Sequence, residues 1–151
     1  MSDAINEGAS HFQRIDGLVL NAGTLDPCGR VGDNTPLEAW KNHFDVNFFS
    51  LVAACKAALP SLRNSALGGK IIFVSSGAAV KGLAGWGPYN ASKAAMNSLC
   101  RYLLSHLLVF CYRLPILRTL AQEEPDVTSV AVRPGMVDTN VIFQVLLFTY
   151  F

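Results

Sequence analysis

Three short apolar runs constrain this chain more than any other feature. They are Leu18-Val19-Leu20, Lys70-Ile71-Ile72-Phe73-Val74-Ser75 and a stretch over residues 128–133. The first two are continuous where a half-exposed strand would alternate, so they are predicted to be buried strands of a parallel sheet, and the third is predicted to be a strand as well. Segments with helical periodicity separate them. Strands alternating with helices imply crossover connections and a parallel sheet, which places the chain in the α/β class. At 151 residues it is long enough for one domain with its own core, and it has no internal repeat or low-complexity linker.

The intervening signals are local. Residues 2–14 predict a weak helix, broken by Arg14-Ile15-Asp16-Gly17, and a Gly-, Pro- and Asp-rich loop spans residues 24–34. Thr35 is expected to be an N-cap, with Pro36 at the first helical position and Glu38 completing a capping box. Leu37, Trp40, Phe44, Phe48, Leu51, Cys55 and Leu59 then recur at helical spacing, and Pro60 is expected to end the helix. In that stripe Trp40, Phe44 and Phe48 are expected to serve the core or an interface. Gly68-Gly69 predicts a turn and residues 77–88 a Gly-rich loop. A further helix starts near Tyr89 and runs through Asn97 and Leu99, and Pro134-Gly135 closes the third strand.

Charge and cysteine content exclude several function classes. Twelve Lys and Arg against eleven Asp and Glu leave a net charge of +1 with no basic run, so neither nucleic acid nor a membrane surface is an expected partner. Cys28, Cys55, Cys100 and Cys111 form no CxxC pair and no cluster with metal-ligand spacing. No metal is expected, and isolated buried thiols in a reducing compartment are. The polar, acidic N-terminus does not have the form of a signal peptide, which predicts a cytoplasmic location, where the sequon Asn90-Ala91-Ser92 meets no glycosylation machinery. His11, His43 and His106 fit no motif and are expected to be structural or exposed.

Chemistry gathers around Tyr89. Tyr89 and Lys93 are four residues apart, on one face of a helix. A free phenol titrates near pKa ~10. A neighbouring cation favours the phenolate, which makes a tyrosine a usable acid or base at neutral pH. Ser76 stands just past the second strand, at the carboxyl edge where open α/β sheets place ligands, and its hydroxyl is suited to polarise a carbonyl. The bland readings are a surface Tyr–Lys pair, a turn serine at 76, a structural amide at Asn47 and a helix-surface hydroxyl at Ser92.

Asn21-Ala22-Gly23 after a strand, Asn47 in a helix, Ser75-Ser76, Tyr89-x-x-x-Lys93 and Pro134-Gly135-x-x-x-Thr139 follow one another in register. In that order they resemble the short-chain dehydrogenase/reductase family, and are most similar to its sepiapterin-reductase-like and benzil-reductase-like carbonyl reductases. The resemblance implies a Rossmann-like doubly wound parallel sheet and an NAD(P)-dependent oxidoreductase transferring hydride between nicotinamide and a carbonyl/alcohol substrate. NADP is favoured over NAD. It implies Tyr89 as the acid/base, Lys93 as its cationic neighbour and a ligand of the nicotinamide ribose, and Ser76 as the group polarising the carbonyl. Asn47 would hold a relay water. Cofactor contacts would come from Asn21, Ala22, Gly23, Tyr89, Lys93, Pro134, Gly135, Val137 and Thr139, and a homodimer would form through the helices starting at Pro36 and Tyr89.

The chain also departs from the family. No G-x-x-x-G-x-G turn for the cofactor pyrophosphate is present, and the first three strands and the last are expected to be missing. Tyr89 and Pro134 stand further apart than in the family, and residues 102–117 (YLLSHLLVFCYRLPIL) account for the excess. That segment is short for a membrane span and carries Pro115. Residues 141–151 share its apolar character, so the expected organisation is a partial NAD(P)-binding domain over 1–140, an atypical insertion at 102–117 and an atypical tail. Both odd segments read as untranslated gene sequence. The alternative function is a catalytically inactive remnant acting at most as a dimerisation partner.

Overall fold

The computed structural model describes residues 2–103 and 126–133. Helix α1 (Ser2–Phe12) leads to strand β1 (Gly17–Leu20); α2 (Leu37–Phe44), a π-helical turn (Asp45–Phe49) and α3 (Ser50–Arg63) then form one bent rod. Strand β2 (Gly69–Val74), the short α4 (Ala78–Lys81), α5 (Gly87–Leu103) and β3 (Val127–Val132) follow. The strands pair in parallel in the order β1-β2-β3, with Leu20 opposite Phe73 and Phe73 opposite Ala131. This is the expected α/β arrangement, with each crossover carrying helix.

Burial on both strand faces is not what the sheet shows. Ile71, Phe73, Val127 and Ser129 are fully buried, on the face that also carries Leu20, beneath Ala58 and Leu62 of α3 and Met96 and Cys100 of α5. The opposite face carries Val19, 62% exposed, and Val132, 37% exposed. Among the described residues only one face of the sheet has helices packed into its core. Gly69 is required at the close approach: a Cβ there would lie 2.5 Å from the Leu62 carbonyl oxygen.

Helix boundaries also differ from expectation. Gln13 adopts a left-handed φ of 59°, so α1 stops at Phe12 rather than residue 14. Thr35 is not the cap of α2. Pro36 occupies the cap position with ψ 139°, no side chain caps the helix, and Glu38 pairs with Lys41 Nζ at 3.2 Å instead of closing a box. Thr35 Oγ1 is turned toward Gly29, where an added Cβ would lie 3.5 Å from it. Leu37, the first residue of the apolar stripe, is 71% exposed. Pro60 does not end the helix but lies inside α3. Its missing N–H withdraws a partner from Lys56, an exposed residue, so the freed carbonyl lies on a solvated face. The loop at 77–88 contains α4, and Pro88 sits in the first turn of α5, where a missing N–H costs no helical bond.

Residues 104–117 of the expected insertion and the tail 141–151 lie outside the described residues, as do Cys111 and His106; Tyr102 and Leu103 close α5. Among the described residues no helix is long and apolar enough to cross a membrane, and among them no group of three His, Cys, Asp or Glu is placed to hold a metal.

Candidate active site

Parallel pairing turns the carboxyl ends of all three strands to one edge of the sheet. β1 runs out into Asn21-Ala22-Gly23, all exposed, and β2 into Ser75 and Ser76. Ser75 extends the ladder, since its N–H donates to the Val132 carbonyl at 2.8 Å, while its hydroxyl donates to Asn97 Oδ1 of α5 at 2.6 Å. That leaves half-buried Ser76 as the first hydroxyl beyond the strand. Its Oγ accepts the Ala78 N–H at 3.2 Å, which orients the side chain while keeping the hydroxyl proton for another acceptor.

α5 brings Tyr89 and Lys93 to this edge. Gly87 permits it: a Cβ at that position would lie 2.7 Å from the Trp40 ring, so α2 and α5 touch there. Asn90 binds the loop to the helix, accepting the Leu83 N–H and donating to the Leu83 carbonyl. Lys93 is 5% exposed, its Nζ donates to the Val74 carbonyl at 2.8 Å, and Nζ lies 5.6 Å from the Tyr89 ring centroid. Burial lowers the Lys93 pKa to about 8, so the side chain is still a cation at neutral pH.

Asn47 lies in the π-helical turn and is 1% exposed. Widened turns of this kind recur at functional sites. Its Oδ1 accepts the Thr24 N–H at 2.7 Å and its Nδ2 donates to the Thr24 carbonyl at 2.8 Å, clamping the start of the 24–34 loop. A Cβ on Gly23 would come within 3.3 Å of Asn47 Oδ1 and 3.7 Å of Lys93 Nζ, so the end of β1 lies directly against both side chains. The structure therefore brings Gly23, Asn47, Tyr89 and Lys93 together, with Ser76 on the adjacent strand end. Pro134, Gly135, Val137 and Thr139 lie outside the described residues.

Two polar residues of the site were not expected from the sequence. Ser92 is not a surface hydroxyl but fully buried, its Oγ donating to the Tyr89 carbonyl at 3.0 Å. His43 is buried behind Asn47, with Nε2 2.9 Å from Asn47 Nδ2 and 3.0 Å from Ser92 Oγ. Spacing held a signal for both: His43 is one helical turn before Asn47, and Ser92 one turn after Tyr89. Burial, more than the nearby Lys93 charge, lowers the His43 pKa, against an opposing contribution from the Asp26 carbonyl.

The sequence pattern of the short chain dehydrogenase family matches residues 1–109. This chain belongs to that family. An uncharacterized oxidoreductase of Schizosaccharomyces pombe is 40% identical over 136 residues, covering 90% of this chain and 47% of the relative. A benzil reductase ((S)-benzoin forming) of Saccharomyces cerevisiae is 36% identical, covering 93% of this chain and 49% of its own length. A crystal structure of a short-chain dehydrogenase/reductase from Saccharomyces cerevisiae superposes with a TM-score of 0.78 at 35% identity, covering 95% of this chain and 49% of that one. The chain thus spans about half the length of the relatives it matches, and its parallel sheet is a Rossmann-type fold shared with them.

Proposed function

We propose that this chain carries the nicotinamide- and substrate-facing half of an NAD(P)-dependent oxidoreductase that interconverts a carbonyl and an alcohol. The observation that carries the reading is the buried Lys93 ammonium beside the Tyr89 ring at the carboxyl edge of the sheet, with Ser76 on the neighbouring strand end. Membership in the family supports it, and the benzil reductase among the relatives points to aryl ketones as substrates to try first.

In this reading the Tyr89 hydroxyl gives a proton to the carbonyl oxygen in reduction and takes it back in oxidation. Lys93 keeps a positive charge next to the phenol, and Ser76 donates its free hydroxyl proton to the same substrate oxygen. Asn47 has acceptors within reach of both Nδ2 hydrogens, so the second lone pair of Oδ1 is what it offers to a relay water. A bound nicotinamide supplies or accepts the hydride.

The residues present fit that group's nicotinamide–ribose half. The exposed Asn21-Ala22-Gly23 backbone lies open beside Lys93, and a Cβ at Gly23 would press on Asn47 Oδ1 at 3.3 Å while only touching Lys93 Nζ at 3.7 Å. Lys93 and Tyr89 would hold the ribose, and Pro134, Gly135, Val137 and Thr139 are carried over as further cofactor contacts, with NADP preferred over NAD. A homodimer through α2 and α5 accounts for Leu37, Val46 and Phe49, which are 71%, 44% and 56% exposed along the bent rod. Saturation-transfer NMR with NADPH tests the cofactor reading. Transfer should be stronger to the nicotinamide and adjoining ribose protons than to adenine; equal transfer, or none, would count against it.

A further inference from the structure

The roles above leave His43 without a purpose, yet its ring sits at the centre of the buried polar network. His43 Nδ1 lies 2.6 Å from the Asp26 carbonyl oxygen. A carbonyl can only accept, so Nδ1 carries a proton and, in the neutral ring, Nε2 is the acceptor. Two donors reach Nε2: Asn47 Nδ2 at 2.9 Å and Ser92 Oγ at 3.0 Å. The Ser92 hydroxyl also has the Tyr89 carbonyl at 3.0 Å. Asn47 Nδ2 also reaches Ser92 Oγ, but only at 3.4 Å, and the assignment that uses the shorter contacts satisfies every group. Ser92 donates to Tyr89, one Nδ2 hydrogen of Asn47 goes to Nε2, and the other goes to the Thr24 carbonyl. The Thr24 N–H donating to Oδ1 fixes which end of the amide is which.

We propose that His43 is a positioning residue, holding the Asn47 amide in the site only as a neutral ring with its proton on Nδ1. Its consequence for turnover rests on the oxidoreductase reading. A proton on Nε2 would set two donors against each other across 2.9 Å, and Asn47 would have to release Thr24 or turn from the ring. The groups facing His43 oppose that proton on balance. Burial disfavours the charged ring and the Lys93 ammonium of α5 repels it, whereas the Asp26 carbonyl and carboxylate in the 24–34 loop favour it. Tyr89 contributes its ring edge at a centroid distance of 6.3 Å, and on α2 itself Glu38 and Lys41 pair with each other at the surface. The folded state therefore takes this proton at lower pH than the unfolded chain does, so stability falls as pH falls through about 6.5.

Long-range proton–nitrogen NMR on the full chain reads the tautomer directly. The expected result is Nδ1–H at pH 7.5, with the Asn47 side-chain amide shifting on acidification at the same midpoint as the His43 ring, below 6.5, while exposed Asn42 stays still. His43→Gln restores an acceptor near Nε2 and should keep the Asn47 amide signal near its wild-type position; His43→Phe fills the space and should move it. An Nε2–H tautomer, an Asn47 amide indifferent to the His43 titration, or a wild-type Asn47 signal in His43→Phe would overturn the proposal. In turnover assays His43→Phe should lower kcat by about tenfold or more with little change in KM, and His43→Gln should recover much of it. A wild-type chain that transfers no hydride overturns the oxidoreductase reading while the NMR result still decides the role of His43.

Discussion

The two faces of the sheet are both largely apolar in sequence and end in different environments. On one face Ile71 and Phe73 are fully buried beneath α3 and α5; on the other Val19 and Val132 are 62% and 37% exposed. Nothing in Leu18-Val19-Leu20 distinguishes the buried Leu20 from the exposed Val19 by hydrophobicity. An apolar run records the propensity to be a strand with both faces covered, but burial depends on which helices are there to cover it. The site follows the same division. Tyr89 and Lys93 come from α5 and Asn47 from the π-helical turn, on rods whose other residues pack on the covered face, while Ser76 stands at the end of β2.

The comparison breaks first at Phe73. Phe73→Ala should cost about 3–5 kcal/mol in denaturant unfolding, because the cavity lies between two helices that cannot collapse into it. A loss near zero would mean that the covered face does not carry the fold.

Lys93 sharpens it, because the covered side also holds a desolvated charge at its end. The Lys93 pKa is lowered from 10.5 to about 8, so between those values the unfolded chain binds more protons than the folded one, and stability should rise as pH rises from about 8 to 10.5. Lys93→Met removes that penalty together with the bond to the Val74 carbonyl, and should stabilise the fold by at most about 3 kcal/mol. It should also abolish any turnover. Flat stability across that window would contradict the burial of the ammonium.

Two glycines that open neighbouring strands separate the environments at smaller scale. Gly69→Ala drives a methyl into the Leu62 backbone and should cost about 1–3 kcal/mol, whereas a Cβ on Gly17 meets only the Lys70 carbonyl at 3.9 Å. Gly17→Ala should therefore change the unfolding midpoint little, as should Val19→Thr on the open face, within about 0.5 kcal/mol.

Much of this was legible in the sequence. The strands fall within a residue of their predicted spans, and the Tyr89–Lys93 spacing on one helix and Ser76 at a strand end are legible because they depend on local geometry. What the sequence hid depends on neighbours. Pro60 signals a helix end by losing a hydrogen bond, but α3 continues past it along an exposed side. Thr35 and Glu38 spell a capping box, yet no side chain caps α2 and Glu38 pairs with Lys41 instead. Ser92 and His43 look like surface and orphan residues until α2 and α5 meet at Gly87 and Trp40, which encloses the network around Asn47.

The central claim is that Tyr89 exchanges a proton with the substrate oxygen at this edge of the sheet, and one substitution addresses it. Tyr89→Phe keeps the ring against Trp86 and His43 and should leave thermal unfolding nearly unchanged. With NADPH and an aryl diketone such as benzil, hydride transfer should fall by about 10²–10⁴ relative to the wild-type chain, with cofactor binding preserved. A variant that keeps more than about a tenth of the wild-type rate, where general acid–base catalysis is expected to supply at least a hundredfold, would contradict the role assigned to Tyr89.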